Sequence, residues 1–261
     1  CRSFKIRYYM EKIGKVEHVV DPFHTDFAGK LNYTTLGKHL LNSAEYHASA
    51  RGFGMKALND ANHTWVLSRL TIEMFDMPVV HTNFVLSTWI ENVYRLFTNR
   101  NYRISSPETG KVYGYARSVW AMINYADRLP VDLHLMHGQT MDTWACPDED
   151  CPIEKQGRVR PLADDTFVKN VEMKYSDIDY NGHVNSIKYI EHICDLFSLD
   201  YYKEHHLRRI EMAYVAESYF GDKLSLYMQS KDNSTYEVEI RKNANENAFG
   251  GDVVARCLLV F

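Results

Sequence analysis

One local plan is written twice in this chain, and that repetition limits the possible folds more than any other feature. The first copy runs Asp26-Phe-Ala-Gly-Lys-Leu-Asn32 and the second Asp179-Tyr-Asn-Gly-His-Val-Asn185. Laid over one another at a constant offset, they share Asp, Gly and Asn, with Phe27 on Tyr180 and Leu31 on Val184. A strand-like run precedes each copy, Phe4–Met10 in one case and Phe167–Tyr175 in the other. Apolar residues at helical spacing follow each: Leu36, Leu40, Ala44, His47 and Ala48, then Ile187, Ile190, Ile193, Cys194 and Phe197. Asn185 is suited to cap the second helix, and Gly182 allows a tight turn before it.

After each helix come four strand-like segments with partial two-residue alternation. In the first half these are His63–Met74, Asn83–Glu91, Tyr94–Ile104 and Lys111–Tyr125. In the second they are Leu207–Ser218, Lys223–Ser230, Thr235–Lys242 and Asp252–Phe261. One helix and four antiparallel strands, twice, predict an α+β chain in which each half wraps a curved sheet around a helix. Asp127–Asp165, rich in Pro, Asp, Glu and His, reads as a linker with a short helix near Leu133–Met141. The expected division is therefore a domain over 1–128, a linker over 129–165 and a second domain over 166–261.

Composition narrows the function classes. Hydrophobic content of 45% and charged content of 25% describe an ordinary soluble globular protein. A net charge of −4 gives no electrostatic footprint for nucleic acid. No apolar run reaches membrane-span length, and no basic, apolar leader opens the chain, whose first residue, Cys1, suggests a trimmed start. Cys1, Cys146, Cys151, Cys194 and Cys257 are odd in number and scattered, which fits free thiols in a reducing cytoplasm. Cys146 and Cys151 have no second pair at zinc spacing, and Cys194 falls on the apolar stripe of its helix.

The copies differ where chemistry could reside. Asn181 and His183 in the second stand where the first has Ala28 and Lys30. Turn and cap geometry explains Asp, Gly and Asn, which both copies share, but not the carboxamide and imidazole. A duplicated scaffold with chemistry in one copy is the economical reading. A helix N-terminus just after these groups suits attack on a carbonyl, because its N–H groups and dipole favour developing negative charge.

The chain resembles the acyl-[acyl carrier protein] thioesterases over nearly its whole length. The likeness is most specific at Asp177-Ile-Asp-Tyr-Asn-Gly-His-Val-Asn-Ser-Ile-Lys-Tyr-Ile, at Trp65-Val-Leu-Ser-Arg-Leu and at Tyr214-Val-Ala-Glu217. The resemblance implies two tandem hotdog domains, with the family's catalytic Asp, Asn and His falling on Asp179, Asn181 and His183. The further catalytic Glu falls on Glu217, expected in the strand after the second helix. Asp177 is a weaker candidate that can simply cap the turn. Plant members often carry Gln where this chain has Gly182, so that position reads as structural here. They also tend to carry Cys after the Glu, where this chain has Ser218, so a cysteine nucleophile at that point is unavailable.

The implied activity is hydrolysis of fatty acyl-acyl carrier protein to free fatty acid. It calls for no cofactor and no metal, with acyl carrier protein as partner, no nucleic acid or membrane partner, a homodimer as an option, and a bacterial cytoplasm as the compartment. The preferred chemistry is water attack with Glu217 as base; Asp179 as base, or either carboxylate as direct nucleophile, stays open. The first half, lacking the polar groups, is the expected acyl pocket, although Met55, Trp65, Leu67, Phe84 and Trp89 are first of all core residues. Lys203, His205, His206, Arg208 and Arg209 read as a solvated face that could also meet an acidic carrier. An acyl-coenzyme A thioesterase and a non-catalytic acyl-binding protein are the alternatives.

Overall fold

A computed structural model describes residues 11–137, 140–162, 166–242 and 251–261. The strand expected at Phe4–Met10 lies outside them. By contacts the chain divides into two units. One runs through Ser68 and resumes from Ile72 to Lys155; the other comprises Arg69–Thr71 and Gln156–Phe261.

The first unit begins with β1 (Gly14–Val19), a one-turn 3-10 helix (Pro22–His24), α1 (Tyr33–Ser49) and α2 (Met55–Asp60). It continues with β2 (His63–Met74), β3 (Asn83–Val93), β4 (Phe97–Ser105), β5 (Val112–Asn124), α3 (Leu133–His137) and α4 (Thr140–Thr143). Strand order is β1-β3-β4-β5-β2, with β1, β3, β4 and β5 paired antiparallel in turn. Helix α1 buries Leu36, Leu40, Ala44, His47 and Ala48, the stripe that its spacing predicts. Each leucine so buried contributes roughly 1.5–3 kcal/mol. Near Leu133–Met141, where a short helix is expected, the described residues are helical over Leu133–His137 and Thr140–Thr143.

Alternation along the strands puts Trp89, Asn101 and Arg117 opposite one another on one face. That face is covered by the chain's own later residues. Trp89 packs with Cys151 and Ile153, and Cys146 N donates to Ile90 O at 2.8 Å. The Arg117 guanidinium donates to Glu91 Oε2 (2.8 Å), to Ile153 O (3.1 Å) and to Cys151 O. Residues 145–153, linker-like in composition, are thus fastened to the first sheet. Trp89 belongs to this outer cluster.

The second unit contains β6 (Thr166–Glu172), a 3-10 turn (Tyr175–Asp177), α5 (Ser186–Cys194) and α6 (Leu199–Glu204). Strands β7 (Arg209–Tyr214), β8 (Lys223–Ser230), β9 (Thr235–Lys242) and β10 (Asp252–Val260) follow. Its order, β7-β10-β9-β8-β6, is antiparallel throughout. Ile187, Ile190 and Ile193 of α5 are buried, but the helix ends at Cys194. Phe197 lies beyond it, in an aromatic cluster with Tyr201, Tyr202, Tyr236 and Phe261. Cys194 is half-buried at the end of the helix, and burial pushes its thiol up to about 12. Arg209 is largely buried against Glu211 (2.6 Å), so it does not belong to a solvated basic face. Each unit has the hotdog arrangement of a sheet around a helix. No described helix is long and apolar enough to cross a membrane.

Candidate active site

Within the second unit, the stretch 177–185 is a turn whose shape one carboxylate maintains. Asp179 Oδ1 accepts from Asn181 N (2.8 Å) and His183 N (3.3 Å). Asp179 N donates to His183 O (2.8 Å), and Gly182 N to Asp179 O (3.0 Å). Gly182 takes φ +81°, the left-handed region that glycine enters without a Cβ penalty. A Cβ there would meet nothing within 4 Å, so the demand is on the backbone alone. Asn185 caps α5, its Oδ1 accepting from Ile187 N at 2.9 Å.

Asp177 is held inside the fold. It is buried, its Oδ2 accepts from Lys174 N (2.7 Å), and its Oδ1 lies 3.6 Å from His192 Nε2 and 3.8 Å from Lys188 Nζ. Burial lowers the His192 imidazole despite this neighbouring carboxylate. Asp177 thus fixes the start of the turn and faces no open space.

Glu217 lies beyond the end of β7 at Tyr214, in the connection to β8, where the sequence suggested a continuing strand. A main-chain hydrogen bond from Val184 N to Ser218 O (2.8 Å) ties this connection to the turn. As a result, His183 Nε2 stands 3.5 Å from Glu217 Oε2, with side chains 20% and 29% exposed. That is partial burial: shielded enough to strengthen the interaction, open enough to admit water. Ser218 itself is 0% exposed, so its hydroxyl is turned into the protein.

The four expected residues therefore separate by placement. His183 and Glu217 meet directly. Asn181 shares the turn with His183, and Asp179 holds both their N–H groups. Near the start of α5, the N–H groups of His183, Val184, Asn185 and Ile187 already donate within the protein. The Asn181 carboxamide adds a side-chain donor in the same turn. Among the described residues, no group of three or more His, Cys, Asp or Glu is arranged to hold a metal.

One neighbour escapes the sequence reading. Tyr219 OH lies 3.4 Å from Glu217 Oε2, and its ring stands edge-on to His183 with centroids 5.1 Å apart. Spacing carries no signal for it. Only the register of the connection after β7 against the turn, set by the long-range main-chain bond, reveals it.

Known proteins share this organisation. Residues 11–134 match the acyl-ACP thioesterase N-terminal domain, and residues 161–257 match the acyl-ACP thioesterase C-terminal domain. A solved acyl-ACP thioesterase from Bacteroides thetaiotaomicron is 50% identical, with a TM-score of 0.87 over 96% of this chain and 98% of that one. The 12:0-ACP thioesterase from Umbellularia californica, 15% identical, shares the fold, with a TM-score of 0.82 over 96% and 97% of the two chains. A chloroplastic palmitoyl-acyl carrier protein thioesterase from Gossypium hirsutum is 28% identical over 70% of this chain, a match that spans 46% of the plant protein. With both family domains matched in order and half of the aligned residues identical to those of a bacterial relative, the chain belongs to the acyl-ACP thioesterase family.

Proposed function

We propose that the protein hydrolyses the thioester of a fatty acyl-acyl carrier protein, releasing free fatty acid and the carrier thiol and so ending chain elongation. The observation that carries this reading is the His183–Glu217 pair at 3.5 Å beside Asn181, in a family whose relatives bear that activity in their names. Glu217 takes a proton from water as the water oxygen bonds to the thioester carbon. The carbonyl electron pair moves onto oxygen, where the Asn181 carboxamide donates a hydrogen bond to it. Collapse breaks the C–S bond, and His183 relays the proton from Glu217 to the leaving sulfur. The sum is one thioester and one water converted to one carboxylic acid and one thiol.

Asp179, with Oδ1 committed to two N–H groups, positions the turn and leaves the base role to Glu217. We assign the acyl chain to the first unit, whose copy of the turn carries Ala28 and Lys30 in place of Asn181 and His183. The 50% identity to a Bacteroides chain supports a bacterial origin.

Glu217→Gln tests the reading with acyl carrier protein thioesters of graded chain length. Turnover should fall by about 10²–10⁴-fold with melting unchanged; near-normal turnover would remove Glu217 from the mechanism. The same chain lengths presented on coenzyme A settle the carrier. Equal or better kcat/KM there would move the assignment to acyl-coenzyme A.

A further inference from the structure

We propose that Tyr219 is a positioning residue for Glu217, an inference that rests on the reading of Glu217 as base. Its hydroxyl donates to Glu217 Oε2 at 3.4 Å, the same oxygen that faces His183 Nε2 at 3.5 Å. The ring stands edge-on to the imidazole, at 81° and 5.1 Å between centroids. A phenol O–H is a hydrogen-bond donor. It therefore favours the ionised carboxylate and restrains its rotation. The contact is long, as catalytic hydrogen bonds often are before substrate closes the site.

The tyrosine is itself held in place. Tyr219 N donates to Asp222 Oδ2 (2.8 Å), and Asp222 N returns a bond to Tyr219 O (3.1 Å). Lys242 Nζ lies 5.3 Å from the ring centroid and pairs with Asp222 Oδ2 at 2.7 Å. One aspartate thus fixes both the main chain of Tyr219 and the cation over its ring.

The first unit supplies the independent argument. There Leu31 N donates to Pro78 O as Val184 N does to Ser218 O, and Thr82 N donates to Val79 O as Asp222 N does to Tyr219 O. Those bonds place Met77 at the position of Glu217 and Val79 at that of Tyr219. The hydroxyl is present only in the copy that also has the imidazole and the carboxylate. If it served the fold of this connection, the first unit would need a counterpart, and valine is not one.

The test is Tyr219→Phe in the full chain, assayed on acyl carrier protein thioester across the pH range beside Glu217→Gln. The expected result is a kcat about tenfold lower with KM within about twofold, and an acid limb of the kcat profile moved to higher pH. The sign follows because a carboxylate that loses one donor protonates more readily, so the base is lost at a higher pH. A merely structural tyrosine would leave that limb where it is. Wild-type kcat and profile in Tyr219→Phe, with Glu217→Gln inactive, overturn this proposal alone. An active Glu217→Gln overturns the base assignment and this proposal with it.

Discussion

In both units an aspartate side chain accepts from two main-chain N–H groups: Asp26 from Ala28 and Lys30, Asp179 from Asn181 and His183. In both, a glycine at positive φ follows, +71° at Gly29 and +81° at Gly182. An asparagine then caps the helix, with Oδ1 accepting from Thr35 N at 2.7 Å or Ile187 N at 2.9 Å. The two turns are one scaffold, and the difference lies in what it presents. The second displays carboxamide, imidazole, carboxylate and phenol; the first displays Ala28, Lys30, Met77 and Val79. On the proposed reading, residues common to both copies answer to folding, and residues present in one copy answer to chemistry.

The largest test of that division is His183→Ala against Lys30→Ala. The first should lower turnover by about 10²–10⁴-fold and the second by less than about twofold, measured as kcat/KM on one acyl carrier protein thioester. Equal losses would break the comparison. Next is Asp26→Ala against Asp179→Ala. Each deletes an acceptor of two main-chain N–H groups and should destabilise by about 1–3 kcal/mol in denaturant melts. Only the second should also reduce activity. Asn32→Ala and Asn185→Ala are the smallest in energy, each costing about 1 kcal/mol through a lost helix cap.

Acid should separate the units by another route. In the first unit His18 and His39 lie with ring centroids 4.1 Å apart, and His24 is 6.0 Å from His39. Burial, reinforced by neighbouring imidazoles and by Lys38 beside His39, lowers His18 to about 4 and His39 to about 3. Asp21, 3.6 Å from His24, is the acidic neighbour of the group. Folded pKa values below the unfolded 6.5 mean that the unfolded chain binds more protons under acid. The stability from this cluster is thus complete above about pH 6.5 and declines as pH falls toward 4. The corresponding positions of the second unit hold Val171, Asp177 and His192. Thermal melts from neutral to acid pH should show the first unit weakening earlier, and His39→Phe should flatten that decline. An unchanged slope would count against the cluster.

What could be read from the chain, and what could not, divides by range. Asp, Gly and Asn at matched spacing are local features, so the turns and the α1 stripe were legible. Strands β8 and β9 ended where their alternation ended. Glu217 was legible only through the resemblance, because its approach to His183 depends on a bond between Val184 and Ser218, far apart in sequence. Tyr219 had no local signal at all. The segment 145–153 looked like linker because its contacts, carried by its own carbonyl oxygens onto Arg117, leave no mark on composition. Arg209 read as surface because its partner Glu211, two residues on, gives no hint of burial in a list of charges.

The bond from Val184 N to Ser218 O has a consequence for descent. Neither atom belongs to a side chain, so an alanine scan passes over it; an amide-to-ester replacement at Val184 would expose it. In the other half the same acceptor is a proline carbonyl, at Pro78, and the donor is Leu31. Mutation can therefore rewrite every side chain on either side while the two loops stay aligned. A lineage can change its chemistry and keep the alignment, ready for polar groups to reappear in register.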